Sequence, residues 1–352
     1  MSVGSFTYQG FAARILFGRG TVHKLREELD HVAAERALIL TSPRGRALAE
    51  ELWAEIGRNR ATVSDASEPN MPESAYAKLK QAVDDAGADC VIALGGGSPI
   101  GLGKAWAAET QKKLISVVTT YSGSEMANNW YVGGGETRRG GSSDAALPVT
   151  VIYDPDLTLD LRPAVSAASG MNAMAHATES LYGPDTNPVI QRMSEDAIRR
   201  LAENLPKIVD DPTDIDARTE VLYAAWVAAA FRATSGLEHI LAQRVRSKFW
   251  LDHSRCHAIA VPYAIAYNRD AAPDAMRAIE RAMGTKDAGR GLYDLLVRLG
   301  LETGFGAVGM PEDGIEAAAE TISGMVFPNP RPTPYADMRE LVSEAHAGKP
   351  PA

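Results

Sequence analysis

The sequence predicts an α/β domain with a doubly wound parallel sheet over residues 1–160 and an all-α domain over residues 161–352. Three observations carry this reading. In the first half, short apolar runs alternate with amphipathic segments, the texture of strand–helix–strand units. Those runs are apolar on both faces and rich in β-branched residues, which suits parallel strands covered by helices on each side. Beyond about residue 160 the texture becomes helical, with little strand signal.

Taken in order, RALILTS (36–42) reads as a buried strand and RALAEELWAEIG (46–57) as the helix after it. AYAKLKQAVDDAG (75–87) is a second helix, stopped by Gly87. CVIALGGGS (90–98) is a buried strand running into a glycine loop, LISVVTT (114–120) is another strand, and PVTVIYDP (148–155) is a strand ended by a proline. The stretch VGGGETRRGGSSD (132–144) reads as a mobile loop or hairpin. In the second half MNAMAHATESLY, MSEDAIRRLAENLPKI, ARTEVLYAAWVAAAFRA and GIEAAAETISGMV carry helical periodicity, and the tail HAGKPPA is expected to fray.

Composition excludes several classes of function. With 45% hydrophobic and 23% charged residues, the 352-residue chain has ample material for a core, and its length suits two domains. A net charge of −9 argues against a nucleic-acid partner. Two cysteines make no disulfide framework, and Cys90 lies inside an apolar strand, which favours a reducing, cytoplasmic compartment. The N-terminal residues have neither the basic start nor the apolar run of a signal peptide, and no apolar stretch approaches a membrane span.

Two loops and two histidine-bearing segments carry the chemistry. Gly95, Gly96, Gly97 and Ser98 leave a strand and enter a helix, so backbone N–H groups and a helix start can face a pyrophosphate. The pattern is neither G-x-G-x-x-G nor a Walker loop, and a tight turn that binds nothing is the alternative. A second polar loop, TTYSGSEM (119–126), also leaves a strand end, and strand ends of one sheet gather at the edge where ligands bind. Together they favour a dinucleotide-binding domain. In the second half, a helix beginning near Ser169, which can cap it, sets Asn172 and His176 on one face. His239 and His253 stand 14 residues apart, with His257 one turn after His253. Either these histidines converge on one pocket or each is a separate structural residue. Their concentration in two short segments favours convergence.

In this order, GGGSPIGLGKA, TTYSGSEM, VIYDPDLTL, SGMNAMAHATES and the His239/His253 spacing resemble the iron-dependent (group III) alcohol dehydrogenase superfamily. The sequence is most similar to its maleylacetate reductase branch, on the strength of Gly101, TTYSGSEM and Asn172. The resemblance runs from residue 15 to about residue 330. It implies a helical domain after the dinucleotide domain, an active site in the cleft between them, and a homodimer. It implies that Gly95, Gly96, Gly97 and Ser98 bind the pyrophosphate of NADH, with NADPH possible, and that Thr119, Thr120 and Ser124 line the cofactor. Arg44, after the strand at 36–42, lies where a 2′-phosphate would be met.

The superfamily's metal pattern of one Asp and three His falls here on Asn172, His176, His239 and His253, and a further histidine position falls on Gln243. Three neutral imidazoles and an amide offer a divalent ion no anionic ligand, and Arg244, Arg246 and Arg255 stand close in sequence. No metal is therefore expected. The resemblance implies reduction of an oxo-enedioate, maleylacetate to 3-oxoadipate, in aromatic catabolism. His239 and His253 are the candidate acid and enolate stabiliser, with His176 and Asn172 in support. A small, carboxylated substrate would be met by Tyr121, Arg246, Lys248 and His257, with Arg255 a further cation. Where members of the branch carry a Gly-Gly pair, this chain has Arg246 and Ser247. That departure, with the loss of the acidic counterpart of Asn172 and of the histidine at position 243, keeps a second reading open, a redox-silent relative using the same cleft for dehydration, cyclisation or isomerisation.

Overall fold

The computed structural model describes all residues except 1–4, 9, 12, 134–137, 232 and 352. It divides into two compact units, one spanning Phe11–Asp160 and the other Leu161–Ala352 together with the residues up to Gly10.

In the first unit a six-stranded sheet is built from β1 (Arg14–Phe17), β2 (Ala37–Leu40), β3 (Ala61–Ser64), β4 (Cys90–Gly95), β5 (Lys113–Val118) and β8 (Thr150–Tyr153). The order is β1-β8-β5-β4-β2-β3, and every pairing is parallel. The central strands are buried along their length because helices cover both faces. Among them are α1 (Leu25–His31), α2 (Arg46–Ile56), α3 (Glu73–Ala86) and α4 (Gly97–Thr110). Ile39, Ile92, Ile115 and Ile152 meet Leu25, Leu29, Leu52 and Ile56 in the core on one face. On the other face α4 approaches closely at Gly103, where a Cβ would fall 2.8 Å from Leu114 Cδ1 and 3.1 Å from Ala93 Cβ.

Sequence periodicity did not reveal β3, a four-residue edge strand with one buried position. The 132–144 stretch is partly a hairpin. Its strands β6 (Asn129–Val132) and β7 (Arg139–Ser142) pair antiparallel, and residues 134–137 lie outside the described residues.

The second unit is helical throughout: α5 (Pro163–Ser180), α6 (Pro188–Asp210), α7 (Ile215–Ala229), α8 (Leu237–Phe249), α9 (His253–Tyr267), α10 (Pro273–Met283), α11 (Ala288–Arg298), α12 (Gly314–Ser323) and α13 (Tyr335–Ala347). Helix α5 is buried on nearly every side and starts earlier than Ser169, because Pro163 at its first turn presets the helical φ. Ser169 is no cap. Its hydroxyl donates back to the Val165 carbonyl at 2.9 Å, inside the helix.

Two expectations about the termini are corrected. The described residues before Phe11 group with the helical unit, where Gly10 bridges Phe231 and Asn187 Nδ2 donates to the Thr7 carbonyl at 3.5 Å. The tail does not fray at Gly348, whose carbonyl accepts from the Tyr293 hydroxyl at 2.8 Å, and Pro351 is buried.

Candidate active site

In the α/β unit the glycine turn joins β4 to α4. Gly95 closes the strand at φ +144°, a conformation that L side chains rarely adopt. Gly96 is the N-cap of α4, and a Cβ there would lie 2.8 Å from Thr120 Cγ2, so the turn and the second loop touch directly. The Thr119 amide donates to the Gly95 carbonyl at 3.1 Å and fastens the same pair. At Gly97 a Cβ would meet nothing within 4 Å, so open space stands before the first residue of a 14-residue helix. Thr120 Oγ1 is buried without a hydrogen-bond partner. A helix start with open space before it and an orphaned hydroxyl on the adjoining loop fit a pyrophosphate.

Ser98 and Ser124 are half-buried, as are Thr119 and Thr120, and the parallel pairing of β4 with β5 puts the starts of both loops at one end of the sheet. Tyr121, expected to meet substrate, is instead buried at 0% exposure and is part of the packed core.

In the helical unit α5, α8 and α9 bring four imidazoles into a row. Ring centroids are 4.5 Å apart for His176 and His239, 4.9 Å for His239 and His257, and 4.5 Å for His257 and His253. Asn172 is buried one turn before His176 on α5. The expected convergence of His176, His239 and His253 therefore includes His257 as its link.

Sequence reasoning missed two carboxylates. Glu179 on α5 and Glu238 on α8 are 4% and 0% exposed. His239 Nδ1 is hydrogen-bonded to Glu179 Oε2 at 2.6 Å, with Glu238 Oε2 2.7 Å away. His257 Nδ1 is hydrogen-bonded to Glu238 Oε1 at 2.9 Å. The other oxygen of Glu179 accepts from the Glu238 amide at 2.9 Å, which satisfies an open N–H at the start of α8. A signal for Glu179 was present, since it follows His176 by three residues on a helix. Glu238 adjoins His239 in sequence, and helical spacing alone points the two about 100° apart.

These contacts separate the charges of the cluster. Burial opposes a charged His239, but Glu238 and Glu179 outweigh it and hold the ring well above the ordinary histidine range. His176 is held well below that range by burial and then by His239 and His257. His257 is likewise lowered by burial, His239 and Arg246. His253 is lowered by the protein packed around it and then by His257 and Arg246. One side of His253 nonetheless faces solvent, which weakens the first cause and leaves the charged neighbours as the firmer one.

The remaining cations sort by position. Half-buried Arg246 acts on His253 and His257, whereas Arg244 and Lys248 are exposed. Arg255 is drawn into an ion pair with Glu302 at 3.1 Å, so the expected cationic stretch is not gathered into one site.

Among the described residues, the group whose donor atoms all lie within 4.8 Å of one another is Glu238, His239 and His257. This is not the superfamily's ligand set, which would use Asn172, His176, His239 and His253. The anions sit instead on the Nδ1 edges of His239 and His257 at hydrogen-bonding distance. Asn172 in place of the superfamily's Asp leaves that ligand set without an anion, while carboxylates on the Nδ1 edges orient the rings whichever partner meets Nε2. The four aligned positions hold no anion, as expected, and the two carboxylates beside them, Glu179 and Glu238, hydrogen-bond the His239 and His257 rings.

Comparison with known proteins agrees with this architecture. Residues 12–155 match the profile for iron-containing alcohol dehydrogenase, and residues 166–346 match that for the C-terminal part of the Fe-containing alcohol dehydrogenase family. A maleylacetate reductase of Burkholderia cepacia is 38% identical over 352 residues, covering 99% of this chain and 100% of that one. One from Sphingobium indicum is 38% identical and covers 98% and 99%. The crystal structure of maleylacetate reductase from Agrobacterium tumefaciens superposes with a TM-score of 0.94 at 35% identity, covering 99% of this chain and 100% of that chain.

Proposed function

Because the chain belongs to the iron-containing alcohol dehydrogenase family and is an NAD(P)H-dependent oxidoreductase, we propose that it reduces maleylacetate to 3-oxoadipate, using NADH and no resident metal. The observation that carries this is full-length similarity to maleylacetate reductases in both sequence and fold. The open glycine turn supports the cofactor assignment. NADPH is admitted by the exposed Arg44 beyond β2.

When bound, the nicotinamide supplies the hydride. Maleylacetate has a ketone conjugated to its carbon–carbon double bond, so hydride addition at the far alkene carbon leaves an enolate, which then takes a proton at the neighbouring carbon. We assign His239, buried and clamped by two carboxylates, to stabilising the enolate oxygen. His253, with one side toward solvent at the start of α9, stays neutral between turnovers and relays a proton from water to the substrate carbon. His257 links the two rings, and Asn172 and His176 support the row. Arg246 meets a substrate carboxylate. The absence of a metal requirement is supported by charge. Glu179 and Glu238 stand against His239 and Arg246, so the cluster is balanced without a divalent ion.

The working unit is taken to be a homodimer in the cytoplasm. Among the described residues no helix is long and apolar enough to cross a membrane.

The test is oxidation of NADH and NADPH by chelator-treated protein given freshly made maleylacetate. Rapid oxidation without added metal is expected. Activity that returned only with added iron or zinc would overturn the metal-free reading. Bound cofactor with no oxidation would remove maleylacetate as the substrate.

A further inference from the structure

Helix α4 carries a buried charge that the reaction does not use. Lys104 lies two turns after Gly97 and is 4% exposed. Its ammonium donates to the Ser124 carbonyl at 2.7 Å, so it reaches from the helix that begins at the glycine turn to the middle of the second loop. Beside it Glu125 is 1% exposed. One carboxylate oxygen of Glu125 accepts from the fully buried Tyr153 hydroxyl at 2.7 Å, and the other, Oε2, is buried without a hydrogen-bond partner. The charges of Lys104 and Glu125 act on one another.

Such a group is a poor way to gain stability. Taking an ammonium and a carboxylate out of water costs several kcal/mol each in real proteins, and apolar side chains of similar size often do as well or better. What the pair does supply is direction. A hydrogen bond to one particular carbonyl fixes where the Ser124–Met126 turn sits on α4, which apolar packing would leave free to slide. The two loops already touch at Gly96 and Thr120, and Lys104 adds a second fastening on the far side of the turn.

We propose that Lys104 is a positioning residue for the nicotinamide cofactor, holding the Ser122–Met126 segment against α4 so that Ser124 and the glycine turn present one binding surface. The proposal rests on the reading that these loops hold NAD(P)H. Lys104 touches no cofactor itself. Its effect belongs in cofactor affinity and in the mobility of one loop, and not in the chemical step, whose residues lie on α5, α8 and α9.

The experiment is NADH titration by fluorescence, steady-state kinetics and amide hydrogen exchange on wild-type protein and Lys104→Met. The expected result is a Kd and KM for NADH raised at least tenfold, with kcat at saturating NADH within threefold of wild type. Exchange should quicken across residues 121–126 while β4 and β5 keep their protection. A Met variant that binds NADH within twofold of wild type overturns the proposal, as does a loss of kcat at unchanged Kd. Should Lys104→Met fail to fold, Lys104→Gln carries the same test, because its shorter side chain keeps a polar donor that cannot reach Ser124. Wild-type protein that bound neither NADH nor NADPH would overturn the cofactor reading along with this one.

Discussion

Asn172 and Glu238 together decide what the histidine row can do. An amide at 172 brings no charge to the end of the row, whereas the Glu238 carboxylate sits between two rings, 2.7 Å from His239 Nδ1 and 2.9 Å from His257 Nδ1. With Nδ1 occupied, the tautomer and orientation of each ring are set by its carboxylate, and the Nε2 edge is the one left for chemistry. Glu238→Gln keeps an oxygen for His257 but removes the second anion from His239. The expected result is a fall in kcat on the order of tenfold to a hundredfold, in the range of partial loss of acid–base assistance. KM for NADH should stay within twofold, because the cofactor loops belong to the other unit. Steady-state kinetics with each substrate varied checks this, and an unchanged kcat would remove Glu238 from the mechanism.

At the scale of the element, the glycine turn and the start of α5 show how much a local signal can say. GGGS after an apolar run was legible because glycine suits φ +144° at the end of β4 and the close approach of Gly96 to the next loop. What the sequence could not display is that Gly96 backs directly onto Thr120, since the two are 24 residues apart and meet only because β4 and β5 are parallel neighbours. Gly96→Ala would force the Thr120 side chain to move. The expected outcome is a rise of about tenfold in Kd for NADH with a stability loss of about 1–3 kcal/mol, the usual cost of overpacking. Calorimetry of NADH binding beside urea unfolding separates the two, and unchanged affinity would detach the turn from the cofactor. The start of α5 was misread for a related reason. Ser is a good cap in general, but Pro163 six residues earlier suits the first turn of a helix, and residues 166–168 just before Ser169 are buried, with α5 packed on α6 and α7.

For the whole molecule, the buried charges make stability depend on pH in an unusual direction. Burial lowers Lys104 to about 8 from an ordinary 10.5. Between those two values the unfolded chain binds a proton that the folded chain does not, so this lysine makes stability rise with pH across the window. The full effect is about 3 kcal/mol, at about 1.4 kcal/mol for each pH unit between the two values. Urea unfolding of wild type against Lys104→Met at pH 7.5 and pH 9.5 checks the sign, since the wild type should gain on the variant as pH rises. A constant difference would mean that the ammonium is not desolvated in the fold.

The sequence by itself determined the order of the parts: a parallel sheet with a glycine turn at one strand end, then a helical half holding the histidines. Those features are written in local chemistry, as runs apolar on both faces, glycines at a strand end, and histidines at helical spacing. The tertiary structure alone decided which charges meet. Glu179 reaches His239 across 60 residues of sequence, Glu238 joins His239 to His257, and Lys104 finds the Ser124 carbonyl, while Arg255 is drawn away to Glu302. The physical reason is that periodicity fixes the face of a helix on which a residue stands, whereas the identity of its partner depends on how helices cross. Desolvation then turns a contact of under 3 Å between buried charges into the dominant influence on the chemistry of the site.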